Sequence, residues 1–234
     1  MCSLQKRGNI FILTLTGTDE HRLNPTLLNA ICSALRCVRS EASSSSALIT
    51  TAHGKFFSNG YDLAWAQAQA QSYEDRKVLM DYLLRSVVTD LISLPMPTIC
   101  AVSGHASAAG CILAMSHDYV LMRNDRGFLY MSELDIKLII PPWFVAILNA
   151  KIGSPAVRRA LIMKAAKVTA KRAVELGIID SAHENAEETL KAAVELGEGL
   201  AKREWEGDVY AQNRMQLLAA VLDSTEDSRI GSRL

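Results

Sequence analysis

The chain has 234 residues, of which 49% are hydrophobic and 21% are charged, a composition that is ordinary for a globular protein with a sizeable apolar core. The 25 basic and 25 acidic residues cancel, which argues against a protein that captures nucleic acid or an anionic membrane surface by charge. The five cysteines include no CxxC pair and the five histidines are scattered, so free thiols and no metal site are expected. Residues 1–8 are too short and polar for a signal peptide, and no apolar run reaches the length of a membrane span.

Strand and helix patterns alternate from the start of the chain. The apolar run Ile10–Leu15 predicts a buried strand, and Asn24-Pro25 predicts the start of a helix that runs to about Ser40. Asp62 is placed to cap the helix that follows a turn-rich loop at 54–60. Further strands are expected at Ala47–Thr51, Thr98–Val102, Tyr119–Met122 and Phe128–Met131. One helix is expected at Glu74–Ser93, and another begins in the small-residue stretch 106–110 and continues through Met115.

From Pro141 onward the pattern is almost entirely helical. Helices are expected at Trp143–Ala150, Pro155–Met163, Ala170–Leu176, Ala186–Ala201 and Tyr210–Leu222, with one strand-like piece at Ile178–Asp180. This order favours an α/β fold with a largely parallel sheet. We expect residues 1–190 to form the core that carries the site and residues 191–234 to form a C-terminal helical region. Its surplus apolar faces predict an oligomer.

Glycine and small residues follow two of the predicted strands directly. The first loop, residues 55–63, reads Lys-Phe-Phe-Ser-Asn-Gly-Tyr-Asp-Leu, and the second, residues 102–111, reads Val-Ser-Gly-His-Ala-Ser-Ala-Ala-Gly-Cys. Ligands of α/β sheets bind beyond the carboxyl ends of strands, and small residues let a ligand approach backbone N–H groups. One N–H from each loop could therefore meet a single oxygen and form an oxyanion hole. Two ordinary strand-to-helix turns fit the same pattern, and the residues alone leave both interpretations open.

Together, the two loops resemble the fingerprints of the enoyl-CoA hydratase/isomerase (crotonase) superfamily. The first resembles its Phe-small-x-Gly-x-Asp-apolar loop, and the second its Asn-Gly-x-small-x-Gly-Gly-Gly element. The likeness extends over most of the chain and implies a spiral of ββα units with a helical C-terminal oligomerisation region. It also implies an acyl-CoA thioester substrate, a homotrimer or hexamer, and no cofactor beyond the coenzyme A of the substrate.

The resemblance assigns roles to particular residues. The oxyanion N–H groups are expected to be those of Tyr61 and Ala109, although Ala109 stands where the family often has glycine. Asp62 is expected to be a helix cap rather than a catalyst, and 21–24 and Lys55 resemble positions near the adenine. Residues expected to contact the substrate are Ser58, Gly60, Asp62, Leu63, Gly104, Gly110 and Ile112.

A third segment, 131–136, is followed by Pro141-Pro142-Trp143-Phe144. It resembles the glutamate-bearing segment of the mitochondrial type of Δ3-Δ2-enoyl-CoA isomerase, while the chain as a whole most resembles the plant peroxisomal type. The match implies that Glu133 is the catalytic base. Glu133 as a solvated loop acid, and Asp135 as the base, are the alternatives. Lys137 stands where relatives commonly have glycine.

The resemblance favours isomerisation over hydration. Hydration of an enoyl thioester needs two positioned acid/base groups. In family hydratases the first glutamate lies two residues after the third glycine, and Ile112 stands there in this chain. A lone Glu133 can still move a proton from C2 to C4 of a 3-enoyl-CoA. The alternatives are another crotonase-type enzyme, such as a hydratase or dienoyl-CoA isomerase, or a non-catalytic acyl-CoA-binding scaffold.

The last three residues, Ser232-Arg233-Leu234, resemble the Ser-Lys-Leu peroxisomal address. A frayed terminus is the competing interpretation. Once the family resemblance is granted, the tail favours a peroxisomal enzyme that an import receptor recognises by its C-terminus.

Overall fold

Within residues 1–17, 20–68 and 72–226, which a computed structural model describes, the strands form a six-stranded and a three-stranded sheet. The strands are β1 (Cys2–Arg7), β2 (Ile10–Leu15), β3 (Ala47–Ala52), β4 (Phe56–Ser58), β5 (Thr98–Val102), β6 (His105–Ser107), β7 (Tyr119–Arg123), β8 (Leu129–Tyr130) and β9 (Ser181–His183). The larger sheet has the order β1-β2-β3-β5-β7-β9, and the smaller has the order β4-β6-β8.

The larger sheet is parallel except at its first edge. The strands β1 and β2 form an antiparallel hairpin, and every later neighbour pairs in parallel. The strands β2, β3 and β5 are buried along their whole length, which explains why they read as continuous apolar runs. The expected α/β fold with a largely parallel sheet is therefore confirmed.

Each central strand continues into a strand of the smaller sheet. After β3, β5 and β7 the chain turns and forms β4, β6 and β8, which pair with one another in parallel. Gly104 makes the approach of these turns possible, since a Cβ atom there would lie 2.1 Å from the carbonyl oxygen of Lys55. A helix follows each pair, so the chain has the spiral of ββα units that the family resemblance implied.

Most helices begin and end close to their expected positions. They are α1 (Pro25–Ser40), α2 (Leu63–Gln67), α3 (Tyr73–Ile92), α4 (Ala109–Met115), α5 (Pro142–Lys151), α6 (Pro155–Lys164), α7 (Ala170–Glu175), α8 (Ala186–Ala201), α9 (Gly207–Leu217) and α10 (Ala219–Glu226). Asn24 caps α1 by accepting from the N–H of Leu27 at 3.0 Å. The Asp62 carboxylate caps α2 in the same way, accepting from Trp65 at 2.9 Å, so this prediction is confirmed.

Two predicted elements near the C-terminus are wrong. The strand expected at 178–180 lies three residues later, because Ile178 closes α7 by donating its N–H to Ala173 and its side chain is buried in the core. The single helix expected at 210–222 is two helices that break at Leu218. The break lets Val221 become buried while α10 packs against α5.

Helix α8 closes the second face of the larger sheet. It packs on β3, β5 and β7, and its Gly197 lets Ile10 and Ile99 approach, since a Cβ atom there would lie 3.3 and 3.4 Å from their Cδ1 atoms. The boundary expected between residues 190 and 191 therefore falls inside a helix that belongs with the sheet. The division into a core and a C-terminal region stays a prediction. No helix in the described ranges combines the length and apolarity needed to cross a membrane.

The contact between α4 and β4 gives a first prediction. A Cβ atom at Gly110 would lie 2.4 Å from the carbonyl oxygen of Ser58, a backbone atom that cannot rotate away. Gly110→Ala should therefore lower the free energy of unfolding by about 2–3 kcal/mol, measured by urea denaturation. Gly153→Ala is the matched control, because nothing lies within 4 Å of a Cβ atom there. Equal stability of the two variants would contradict the prediction.

Candidate active site

A cavity of about 570 Å³ opens where the two small-residue loops meet α3 and the segment after β8. This volume is in the range of small-molecule sites. Its apolar wall is formed mainly by Tyr61, Leu63, Val78, Ile136, Leu138, Ile139 and Phe144. The charged side chains on the wall are those of Arg22, Glu74, Lys77, Asp81, Arg85, Glu133 and Lys137.

The backbone of the first loop leaves the amide of Tyr61 free of the bridge that the loop makes with Leu23. Leu23 donates its N–H to the carbonyl of Gly60 at 2.8 Å and accepts from the N–H of Asp62 at 3.2 Å. Because successive groups of an extended chain point to opposite sides, the N–H of Tyr61 points away from Leu23. Gly60 has φ +73°, which allows the turn that brings Tyr61 to the cavity wall.

The second loop ends in a strained turn at Ala108. This residue has φ +50° and ψ −123°, a conformation that favours glycine, and it is held by its N–H donating to Tyr130 at 2.9 Å. Such a backbone costs about 1–3 kcal/mol. Ala109 is the first residue of α4, so its N–H has no partner within the helix. The positive φ therefore falls on Ala108 and not on Ala109, although Ala109 is the residue that stands where the family often has glycine.

The two loops touch at Gly60. A Cβ atom built there would lie 3.5 Å from the nitrogen of Ala109 and 3.3 Å from the Cβ atom of Ala108. The amides of Tyr61 and Ala109 therefore flank the contact between the loops, and Ala108 lines the same cavity as Tyr61.

The backbone of Glu133 is fixed by the turn that it begins. Its carbonyl accepts from the N–H of Leu138 at 2.9 Å, and Leu134 accepts from Lys137 at 3.3 Å. This is the hydrogen-bond pattern of a Schellman motif, whose penultimate residue adopts a left-handed conformation. Lys137 occupies that position with φ +60°, which explains why glycine suits it in relatives.

The Glu133 carboxyl is buried and incompletely paired. The residue is 5% exposed, and its Oε2 atom is buried without a hydrogen-bond partner. Burial raises the pKa of Glu133 from 4.5 to about 7, although a hydrogen bond from its own backbone opposes the shift. Burial raises the pKa of Cys111 to about 12, and the negative charge of Glu133 adds to this shift. The Glu133 carboxyl is therefore close to the first turn of α4, where Cys111 lies.

The alternative acid of this segment has a different environment. Asp135 is exposed and lies outside the cavity wall described above. The structure therefore favours Glu133 over Asp135 as an acid or base for a ligand in the cavity, and it does not place Glu133 in bulk solvent.

Apart from Asp62, which caps α2 and is not on the cavity wall, the other residues expected to contact the substrate fall into two groups. Leu63 lines the cavity and Gly60 forms the contact between the loops. Ser58, Gly104, Gly110 and Ile112 are buried behind the wall. Ser58 donates its hydroxyl to the carbonyl of His21 at 2.8 Å, and the glycines permit close backbone contact. Ile112 is fully buried in the core, so in this structure it supports the wall from behind.

Of the residues expected near the adenine of coenzyme A, some line the cavity and others do not. Arg22 lines it and pairs with Glu20, whereas His21 is buried and its Nδ1 lies 3.0 Å from the carbonyl oxygen of Phe56. Lys55 lies over the ring of Phe56. Contacts with the nucleotide stay a prediction. In residues 1–17, 20–68 and 72–226, no group of three or more His, Cys, Asp or Glu side chains is placed to hold a metal ion.

Sequence reasoning missed two polar contacts that join the cavity-lining segments. Asp81 accepts from the hydroxyl of Tyr61 at 3.1 Å and from the indole N–H of Trp143 at 2.9 Å. The hydroxyls of Ser107 and Ser132 lie 3.2 Å apart. A signal for the first existed, since Val78, Asp81 and Arg85 recur at helical spacing and line the cavity as one stripe of α3.

The fold and this cavity define a class of protein. The sequence matches the family described as Enoyl-CoA hydratase/isomerase over residues 5–227. The chain therefore belongs to the enoyl-CoA hydratase/isomerase family, as its two loops suggested.

Particular relatives make the likeness more specific. The chain is 62% identical to enoyl-CoA delta isomerase 1, peroxisomal, of Arabidopsis thaliana over 226 residues, covering 96% of the chain and 92% of the relative. It is 52% identical to enoyl-CoA delta isomerase 2, peroxisomal, of the same plant, covering 93% and 92%. A crystal structure of an enoyl-CoA hydratase/isomerase family protein from Pseudomonas syringae is 18% identical and superimposes with a TM-score of 0.87, covering 99% and 95%, which supports the fold alone.

The buried carboxyl gives a prediction for stability. The folded protein binds a proton at Glu133 more tightly than the unfolded chain, so stability falls as the pH rises from about 4.5 to about 7 and is level above. The Glu133→Gln variant has no carboxyl to titrate at this position, so it does not lose stability over this pH range. At pH 8 the variant should be more stable than wild type by roughly 3 kcal/mol, and at pH 4 the difference should vanish.

Urea denaturation at both pH values measures this difference. Asp135→Asn is the matched control, because it removes a carboxylate from the same turn at an exposed position. A stabilisation by Glu133→Gln that is equal at pH 4 and pH 8 would show that burial does not shift this carboxyl.

Proposed function

We propose that the chain is a Δ3-Δ2-enoyl-CoA isomerase, which converts 3-cis- or 3-trans-enoyl-CoA to 2-trans-enoyl-CoA in the β-oxidation of unsaturated fatty acids. One observation carries the proposal. Among the described residues, Glu133 has the one carboxyl oxygen that is buried without a hydrogen-bond partner, and it lines the cavity beside the loops of Tyr61 and Ala109. The names of the plant relatives support the same reaction.

The oxyanion hole stabilises the charge that the reaction develops. Removal of a proton from C2 of the 3-enoyl thioester moves negative charge onto the thioester oxygen as a dienolate. The amides of Tyr61 and Ala109 donate to that oxygen. Each donor of this kind contributes about 10²–10³-fold to the rate, because it is fixed before the charge appears.

Glu133 is both base and acid. A pKa of about 7 leaves a substantial fraction ionised at neutral pH, while the conjugate acid is strong enough to return the proton. The carboxylate removes a proton from C2, and the resulting acid protonates C4 on the same face of the dienolate. No other cofactor is needed in this cycle, since coenzyme A arrives with the substrate.

Hydration is less well supported. The position that holds the first glutamate in family hydratases is Ile112, which is apolar and fully buried. Of the other carboxylates on the cavity wall, Glu74 pairs with Lys77 at 2.9 Å, and Asp81 already accepts from Tyr61 and Trp143 and pairs with Arg85 at 2.8 Å. Both are therefore poorly placed to activate a water. A dienoyl-CoA isomerase and a non-catalytic acyl-CoA scaffold stay as alternatives.

We further propose that the enzyme is a peroxisomal homotrimer or hexamer. Two relatives carry the word peroxisomal in their names, and the C-terminal Ser232-Arg233-Leu234 resembles an import signal. This tail lies outside the described residues. Exposed apolar side chains on α9, Val209 and Leu217, supply surface that a subunit contact would cover.

Replacement of the base tests the mechanism. Glu133→Gln keeps the size of the side chain but cannot accept a proton, so kcat for 3-cis-octenoyl-CoA should fall by about 10²–10⁴-fold. The rise in absorbance of the conjugated 2-enoyl thioester measures this rate. Asp135→Asn should keep the wild-type rate, because its carboxylate is exposed outside the cavity.

The outcomes separate the alternatives. Octanoyl-CoA should bind Glu133→Gln and wild type alike, which shows that the site is intact. Near-wild-type turnover by Glu133→Gln would reject the assigned base. Tight binding of octanoyl-CoA by a wild-type protein that turns over no enoyl-CoA would favour the scaffold, and faster turnover of a 3,5-dienoyl-CoA would favour the dienoyl-CoA isomerase.

Localisation is tested with a fluorescent protein fused to the N-terminus, which leaves Leu234 free. The fusion should collect in peroxisomes of plant cells, and Arg233→Asp should leave it in the cytosol, because the receptor reads a positive charge at this position. A fusion of the unchanged chain that stays diffuse would contradict the proposal. Arg203→Asp changes the same charge in the described part of the chain and is the matched control.

A further inference from the structure

We propose that Asp81 is a positioning residue that holds the oxyanion amide of Tyr61 in register with the base loop of Glu133, through its hydrogen bonds to Tyr61 and Trp143. The inference rests on the proposed function. It adds a residue from α3 to the machinery, although this residue belongs to neither of the small-residue loops nor to the glutamate segment.

The contacts converge on one carboxylate. Oδ1 of Asp81 accepts from the hydroxyl of Tyr61 at 3.1 Å and from the indole Nε1–H of Trp143 at 2.9 Å. Oδ2 pairs with Arg85 at 2.8 Å, one turn further along α3. Hydrogen bonds to an ionised acceptor are shorter and stronger than neutral ones, so this carboxylate is a firm anchor.

The two donors belong to the two parts of the site that must keep a fixed distance. Tyr61 contributes the amide of the first loop. Trp143 is the second residue of α5, which directly follows the segment that begins at Glu133. Because Asp81 bonds both side chains through one oxygen, a shift of either segment breaks a hydrogen bond in a half-buried site.

The helix that carries Asp81 is a rigid support. Helix α3 has 20 residues, and Met80, Leu84, Val87 and Val88 on its inner face are fully buried. Arg85 also donates to the carbonyl of Thr225 at 3.3 Å, which ties the anchor to α10. On the other side the Trp143 ring packs edge-on against Phe144, with centroids 4.5 Å apart.

A second contact joins the other end of the base loop to the other amide loop. The hydroxyls of Ser132 and Ser107 lie 3.2 Å apart, one residue before Glu133 and two before Ala109. The base loop is therefore tied to the second amide loop at its start and to the first amide loop at its end. The tie at Asp81 is the charged one, and we expect it to dominate.

The Tyr61 hydroxyl serves this tie as a donor. Burial raises the pKa of Tyr61 well above its ordinary value, and the charge of Asp81 adds to the shift. The phenol therefore stays protonated and donates to Asp81. Since all three donors around Asp81 are protein groups, its role is to hold Tyr61 and Trp143 rather than to transfer protons.

Tyr61→Phe removes the hydrogen bond to Asp81 but keeps the backbone N–H group of residue 61. We expect kcat to fall about 10-fold with KM changed by less than about 2-fold, because a small displacement of a reacting group costs up to ~10²-fold. Affinity for 3-oxooctanoyl-CoA, whose enolate places charge on the thioester oxygen, should fall about 10-fold. Affinity for octanoyl-CoA should not change. Tyr82→Phe, an exposed tyrosine of α3, is the matched control.

Two further variants test whether Asp81 acts through Tyr61. Asp81→Asn leaves Arg85 without its partner and should lower stability, whereas Tyr61→Phe and Trp143→Phe keep that ion pair. If one tie is involved, the Tyr61→Phe/Asp81→Asn double variant should lose about as much kcat as Asp81→Asn alone. If Asp81→Asn does not fold, Trp143→Phe replaces it in this comparison. The Tyr61→Phe/Trp143→Phe double variant should then lose about as much kcat as Trp143→Phe alone.

The result that overturns the proposal is a Tyr61→Phe variant with wild-type kcat and wild-type affinity for 3-oxooctanoyl-CoA. An equal loss of affinity for octanoyl-CoA and 3-oxooctanoyl-CoA would also overturn it, because this would show damage to the whole cavity. Failure of the wild-type protein to isomerise 3-enoyl-CoA would reject the proposed function instead. The ratio of the two affinities would still decide whether Asp81 positions Tyr61.

Discussion

The burial of the Glu133 carboxyl without a full set of hydrogen bonds is the feature on which the rest of the site depends. A carboxyl that is paired or solvated is a weak base, whereas desolvation makes the same group basic enough to remove a carbon-bound proton near neutral pH. The protein bears the cost of this burial because the surrounding backbone cannot relax. The turn through Leu138 and the left-handed Lys137 fix Glu133 where it stands.

The second constraint is the close contact between backbone segments at the cavity. Gly60, Gly104 and Gly110 each lie where a Cβ atom would come close to another segment of the same chain. These contacts align β4 and β6 and bring the starts of α2 and α4 together. The smaller sheet therefore brings two loops that are distant in sequence to one side of the cavity, where the proposed function needs the amides of Tyr61 and Ala109.

Much of the fold could be predicted from the sequence because strong local signals mark it. Apolar runs predicted β2, β3 and β5, and the Asn24 cap with Pro25 predicted α1 with its observed ends. The short strands β4 and β6 were missed, since three residues of mixed polarity carry no clear period. The break at Leu218 was missed as well, because it depends on α10 packing against α5 and not on a residue that disfavours a helix.

The site shows the same division. Loop order and a resemblance predicted roles for Tyr61, Ala109 and Glu133, and the geometry brings their segments to one cavity, while the roles themselves stay predictions. The strain at Ala108 and the tie at Asp81 could not be predicted, because each depends on atoms brought together only by the folded chain. Ile112 was expected to touch substrate, but helix geometry turns its side chain into the core.

Helix α8 carries a consequence for the way the chain is made. It covers Ile10, Ile12, Ile49, Ile99 and Leu121 on one face of the larger sheet, yet it comes from residues 186–201. A ribosome has therefore synthesised all five of these side chains before the helix that covers them leaves the exit tunnel. Until then the nascent sheet exposes these apolar side chains, four of them β-branched isoleucines, to solvent. Chaperones that bind exposed apolar strands should meet this protein during translation, and their binding should weaken once α8 has packed on the sheet.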